Sequence, residues 1–184
     1  LGLDVRDETF ETLAARARSE NLDVTALLVT QDVDVPVVAV AVHRDDEWPK
    51  FAMGSGANLD ANSAARSALA EALQNWTELR AMGPEQAATQ GGAIATYADF
   101  PDAAESFVTP DSTIPADSVG PSEIPDGEDE LDAVLDHVAD AGLDAYVART
   151  TPKDVEQLGF EAVRVLLPEA QPLFIGDPFF AERT

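Results

Sequence analysis

Between Glu8 and Asn21 apolar residues recur at Phe10, Leu13, Ala14 and Ala17, a spacing that lays them along one face of a helix. Asp7 or Glu8 stands near its N-terminus, where the helix dipole favours negative charge. Two valine-rich runs follow, Val24 to Thr30 and Val35 to Val42, and their length and β-branching predict buried strands. Pro36 sits at the start of the second run, where a missing N–H does least harm. Trp48 to Met53 predicts a further short strand, after which Gly54-Ser55-Gly56 reads as a tight turn before a capped helix. That helix is the longest, Asn62 to Met82, with Asn58 and Asp60 offering capping oxygens. Ala65, Ala68, Leu69, Ala72, Leu73, Trp76 and Leu79 share its broad apolar face, and Ser67, Glu71, Gln74 and Glu78 the opposite one. Gly83-Pro84 ends it.

The pattern weakens after Glu85. Glu85 to Gln90 and Pro101 to Phe107 each suggest a helical turn. Residues 108–127 read as an irregular loop, and Pro110 to Pro125, rich in Pro, Ser, Asp and Gly, has the composition of an ordered loop or of a linker. Helical spacing returns from Glu128 to Ala141, with Leu131, Val134, Leu135, Val138 and Ala139 on one face and Gly142 at the C-terminal cap.

Two stretches echo one another. A helix leads into Asn21-Leu22-Asp23-Val24, a strand, Thr30 and a second strand from Val35. Later, a helix leads into Gly142-Leu143-Asp144-Ala145, a strand, Thr150 and a second strand through Val163-Arg164-Val165-Leu166. This alternation predicts an α/β fold, a layered sheet of short strands with packed helices, built from repeated helix–strand–turn–strand units.

Charge changes the picture most. Thirty-five Asp and Glu stand against 11 Lys and Arg, a formal net charge of −24 in 184 residues. Self-repulsion of this size opposes the compact state until salt screens it. The acidity is spread along the chain and lysine is scarce, which fits a surface adapted to a salty cytoplasm, as in a halophile. A charged partner-binding tail would be a run of like charges, and only Pro125 to Glu130 approaches one. Calcium-hand spacing is absent, so a divalent-cation store is not indicated. A basic nucleic-acid-binding surface is excluded, and no apolar run approaches the roughly 20 residues that span a bilayer. With no cysteine, disulfides, thiolate metal sites and a cysteine nucleophile are excluded. The start at Leu1 leads us to expect a piece of a longer protein, although N-terminal processing would give the same start.

Chemistry-bearing motifs are few. Gly54-Ser55-Gly56 lacks the further Gly and the Lys-Ser/Thr of phosphate-binding loops. His43 and His137 have no second histidine at metal-ligand spacing, and no Gly-x-Ser-x-Gly elbow anchors a hydrolase triad.

One combination stands out. Gly54-Ser55-Gly56-Ala57-Asn58, followed by Ala68-Leu69-Ala70-Glu71-Ala72-Leu73-Gln74-Asn75, resembles a segment of the YcaO-like family. There a Gly-x-Gly precedes Arg-Ala-Leu-Thr-Glu-Ala-Ala-Gln-Ser-Arg. Thr30 with Val35-Pro36-Val37-Val38-Ala39 resembles the family's upstream strand, and Val163 to Pro168 its closing strand and proline. The resemblance runs from about residue 20 to the end, and makes the chain the C-terminal half of one YcaO-like domain over residues 1–184.

It implies an enzyme that uses ATP and Mg2+ to phosphorylate a backbone amide oxygen of a peptide or protein substrate, giving azolines, thioamides or amidines. It also implies a partner protein. Glu71 and Gln74 match the family's Glu and Gln. Glu71 is thereby a nucleotide and Mg2+ contact, Gln74 a nucleotide contact, and Arg80 a substitute cation from one turn further along. This sequence has Ser67 and Trp76 where the family has arginines, and the Glu-x-x-Glu-Arg-Asp element and its companions precede the matched segment. Alone, the chain is therefore expected to be inactive. The departures favour an alternative, a non-catalytic accessory or scaffold domain. A self-standing homodimer is a third possibility. Scattered Pro168, Pro172 and Pro178 replace the Pro-x-Pro-x-Pro terminus of some peptide-cyclising members.

Overall fold

The computed structural model describes residues 1–90, 97–100 and 102–170, so Pro101, Pro172 and Pro178 lie outside the described residues. The chain forms two compact units, one over Leu1–Ile124 and one beginning at Pro125.

In the first unit, β1 (Gly2–Asp4), β2 (Asp23–Leu28), β3 (Val37–His43), β4 (Phe51–Ala57) and β5 (Thr113–Pro115) form one sheet in the order β4-β3-β2-β1-β5. The β1–β5 pair is parallel and the others are antiparallel. Helices α1 (Glu8–Ser19) and α2 (Ala61–Met82) cover one face. Side chains alternate across a strand, so Val38, Val40 and Val42 enter one core with Phe10, Ala14 and Ala17 of α1 and Ala64, Ala68, Leu69 and Ala72 of α2. The opposite face places Ala41 and Phe51 against Ala104, Met53, Tyr97, Phe100 and Phe107. α3 (Pro84–Gln90) follows α2, and 3-10 helical segments run over Asp102–Phe107 and Ala116–Ser118. Among the described residues no helix is long and apolar enough to cross a membrane.

Capping sets the helix ends. The Asp7 carboxylate accepts from the Phe10 amide and pairs with Arg66 at 2.7 Å, tying the start of α1 to α2. Asp60 accepts from the Asn62 and Ser63 amides, the expected service of an N-cap aspartate. α1 stops at Ser19, two residues before the periodicity suggests. Asn21 takes a left-handed φ of 58°, which Asn tolerates better than most residues. The Leu22 amide then returns to the Ala17 carbonyl at 3.1 Å and the Asn21 amide to that of Arg18 at 3.1 Å, a Schellman closure.

Two sequence expectations are corrected. Gly54-Ser55-Gly56 is no turn; it lies inside β4. Pro110 to Pro125 is not wholly irregular, since Thr113–Pro115 pairs with β1 through Gly2↔Thr113 and Leu3↔Ile114. Three residues are too few for a period-2 signal, so β5 is invisible to patterning.

The second unit contains α4 (Glu128–Asp140), β6 (Tyr146–Arg149), the single turn α5 (Lys153–Glu156) and β7 (Val163–Leu166). β6 and β7 pair antiparallel, Val147 opposite Val165. The echo is geometric. Gly142, at φ 75°, closes α4 as Asn21 closes α1, with Leu143 N–H to Val138 O at 3.1 Å and Gly142 N–H to Ala139 O at 2.8 Å. At the far end of the first hairpin Val29 N–H bonds to Val37 O, and Thr30 Oγ1 accepts from Val37 N–H, both at 2.9 Å. In the second, Thr150 N–H bonds to Ala162 O and Thr151 Oγ1 accepts from Ala162 N–H, again at 2.9 Å. Thr151, rather than Thr150, is thus the counterpart of Thr30.

The charge excess makes a direct prediction. Screening shortens from about 10 Å at 0.1 M salt to about 3 Å at 1 M, so thermal melts in rising KCl are expected to move upward across that range. A melting temperature independent of salt would mean that the repulsion is not felt in the folded state.

Candidate functional site

The candidate residues stand where α2 meets β4, and glycine makes the meeting possible. A Cβ at Gly54 would come within 3.0 Å of the Ala68 carbonyl oxygen and the Ala72 amide nitrogen, and one at Gly56 equally close to the Ala64 carbonyl oxygen. The alanines of α2 complete the close approach from the other side. The glycines are therefore required by the approach of two backbones rather than by an unusual φ.

The β3–β4 ladder is bracketed by Arg44 N–H to Lys50 O at 2.9 Å and Asn58 N–H to Pro36 O at 3.1 Å. Even-numbered β4 residues therefore bond to β3, and the main-chain groups of 51, 53 and 55 face outward from this edge strand. Each has a partner. The Ala98 carbonyl takes the Phe51 amide at 3.2 Å, the Asn75 carboxamide donates to the Met53 carbonyl at 2.9 Å, and Glu71 Oε2 takes the Ser55 amide at 2.7 Å. Further along, Trp76 Nε1 donates to Pro49 O and Trp48 Nε1 to Leu79 O, each at 3.1 Å. α2 is thus bonded to the β4 strand and its approach along its length.

Of the residues picked from sequence, Glu71 and Gln74 are both exposed on α2 but turn to different partners. One Glu71 oxygen is committed to the Ser55 amide, while Oε1 accepts no hydrogen bond from the described residues. Gln74 Nε2 donates to Glu78 Oε1 at 3.3 Å. Arg80 lies six residues beyond Gln74, about 9 Å along the helix, with its guanidinium 5.2 Å from the Trp76 ring centroid. Arg44 stands at 5.5 Å from the same ring and pairs with Glu47 at 2.6 Å. Arg80 makes no ion pair among the described residues. Trp76 itself is buried, so this position is a core anchor with a polar handle rather than a surface substitute for arginine.

Among the described residues no group of three or more His, Cys, Asp or Glu side chains is placed to hold a metal. Glu71 offers one oriented carboxylate oxygen, which fits a single contact to Mg2+, an ion that takes one or two protein carboxylates and fills its remaining positions with water and phosphate. Asn75 and the Ser55 amide escaped the sequence reading. The four-residue interval between Glu71 and Asn75, which places both on one flank of α2, was the available signal.

The profile of a family described as YcaO cyclodehydratase, ATP- and Mg2+-binding, matches residues 1–171. The chain belongs to the YcaO family. No curated protein matches it significantly in sequence. Among solved structures, it is similar to a heterocyclase in complex with substrate and cofactor (TM-score 0.71, 21% identity, covering 91% of this chain and 23% of that one). It is also similar to the YcaO protein of Methanopyrus kandleri bound with AMPPCP and Mg2+ (TM-score 0.67, 24% identity, 90% and 44% coverage). A further similarity is to the E. coli microcin synthetase McbBCD complex with pro-MccB17 bound (TM-score 0.55, 10% identity, 91% and 44%). At these identities the likeness establishes the YcaO fold. The chain spans less than half the length of each of these relatives.

Proposed function

We propose that this chain is the C-terminal half of a YcaO domain that binds ATP and Mg2+ and activates a backbone amide of a peptide or protein substrate. Both units would belong to that one domain, working in the cytoplasm beside a partner protein. The observation that carries this reading is the family match over residues 1–171, whose description names ATP and Mg2+ binding. ATP supplies the phosphoryl group that turns an amide oxygen into a leaving group, opening the way to azoline, thioamide or amidine. The chain's own contribution is positional. The Ser55 amide fixes the Glu71 carboxylate, leaving Oε1 to take one Mg2+ contact, since a ligand oriented by an outer hydrogen bond binds better than a free one. Gln74 would meet the nucleotide by exchanging its bond to Glu78. Arg80, held over Trp76, would offer a phosphate-facing cation in place of the arginine the family carries one turn earlier.

Titration calorimetry of the longer protein with Mg-ATP tests this. Glu71→Gln keeps an acceptor for Ser55 but loses the charge, and is expected to weaken binding about 10- to 100-fold, the usual worth of a charged contact. A longer protein that binds no Mg-ATP at all would sink the enzyme reading. A second reading, a non-catalytic relative that holds a peptide or protein, is favoured by the burial of Trp76 where the family has arginine. Under it, the longer protein turns over no ATP, with or without Glu71→Ala.

A further inference from the structure

The bonds that fix Glu71 meet at one glycine. Asn75 Nδ2 donates to the Met53 carbonyl at 2.9 Å, and the Ser55 amide donates to Glu71 Oε2 at 2.7 Å. That carbonyl and that amide belong to consecutive peptide planes, and only φ and ψ of Gly54 lie between them. Glycine is the residue whose φ and ψ are least restricted. Any other residue at position 54 would drive its Cβ into the Ala68 carbonyl oxygen and the Ala72 amide nitrogen. The close approach of α2 to β4 thus places the freest backbone joint directly before the amide that holds Glu71.

The two planes are held on both sides. β3 takes their inner groups through the Val40↔Gly54 pair. On the outer side each has one partner among the described residues, Asn75 for the first plane and Glu71 for the second. These partners differ in freedom. Asn75 is short and half-buried, whereas Glu71 is exposed and one methylene longer, so holding it still costs more side-chain entropy. The outer hold on the joint therefore falls mainly to Asn75. The Glu71 carboxylate takes its direction from an amide that Asn75 has already set.

We propose that Asn75 is a positioning residue for the Mg2+ contact of Glu71. It touches neither metal nor nucleotide in this role. By holding the Met53 carbonyl it limits rotation at Gly54, which aims the Ser55 amide and so fixes where Glu71 Oε1 lies. The proposal rests on the reading of Glu71 as a Mg2+ ligand and adds to it a residue that grips the strand rather than the ion. A metal ligand oriented by an outer hydrogen bond keeps its affinity only while that partner stays in place. A residue that merely stabilised the fold would lower the melting temperature without changing the demand for Mg2+.

Asn75→Ala tests this in two ways. Without metal or nucleotide, the Ser55 amide of the variant is expected to exchange with deuterium about tenfold faster than in the wild type, the worth of one hydrogen bond. In the longer protein, the Mg2+ concentration needed for half-maximal ATP binding is expected to rise about tenfold, the usual cost of losing an outer partner. Added to Glu71→Gln, the same substitution is expected to raise the Mg2+ demand no further, because Asn75 acts only through Glu71. Should Asn75→Ala fail to fold, Asn75→Leu keeps the volume, loses the donor and is read the same way. An unchanged exchange rate at Ser55 overturns the proposal. So does a Mg2+ demand that stays at the wild-type value, or that rises equally with and without the Glu71 carboxylate. A wild-type protein whose ATP binding needs no Mg2+ overturns the Glu71 reading and this proposal together, whereas the other failures, with the wild type Mg2+-dependent, overturn this one alone.

Discussion

Gly54→Val is expected to destabilise the first unit by about 3 kcal/mol or more, a large part of the ~5–15 kcal/mol that holds a domain together. The reason is that both obstacles to the new side chain are main-chain atoms. A Cβ at position 54 meets the Ala68 carbonyl and the Ala72 amide, which belong to the hydrogen-bonded body of α2 and cannot swing aside as a flexible side chain would. Accommodation requires lifting α2 from β4, which strains the Glu71–Ser55, Asn75–Met53 and Trp76–Pro49 bonds together. Thermal denaturation followed by circular dichroism should show a fall of roughly 10 °C in the melting temperature. If Gly54 merely occupied a surface turn, the valine variant would melt near the wild type, and that outcome would refute the strand-to-helix contact.

Trp76→Ala is expected to cost about 3–5 kcal/mol, as removal of a buried aromatic side chain does. The ring fills the core between α2 and the β4 approach, and its indole N–H is the partner of the Pro49 carbonyl. Deleting it leaves a cavity and an unpaired acceptor, and removes the ring over which Arg44 and Arg80 lie. Trp76→Phe separates the contributions, since it keeps most of the volume and loses the hydrogen bond, worth roughly 1–3 kcal/mol. Urea unfolding of the three proteins should rank them wild type, Phe, Ala. Equal midpoints for Phe and Ala would mean that packing at this position contributes nothing.

Much of this fold was legible because it is written in local periodicity. The alanine and leucine stripe of α2, the valine runs of β2 and β3, and the repeated helix–strand–turn–strand units each depend on neighbours within a few residues. What escaped depends on partners distant in sequence. Gly54 and Gly56 carry no side chain to mark a period, so β4 seemed to end before them. Thr113–Pro115 becomes a strand only because β1 is there to pair with it. The functional face of α2 was harder still. Glu71 in an isolated helix is indistinguishable from any solvated glutamate, and only the arrival of the β4 edge beside it gives its carboxylate a fixed partner. The family resemblance singled out Glu71 and Gln74 together, whereas the fold groups Glu71 with Asn75.

The bonds along the β4 edge also make α2 a ruler for the strand. Two β-strand residues advance about 6.8 Å and one four-residue step of a helix about 6 Å. Glu71 and Asn75 therefore reach Ser55 and Met53 at once only in one alignment. A slip of β4 by two residues would part both bonds and carry Ala52 or Asn58 onto a glycine position, where α2 has left no room for a Cβ. Either error is rejected by the helix backbone and by the unpaired edge groups together. The strand with the least side-chain information in the sheet thus owes its register to the helix that follows it in the chain.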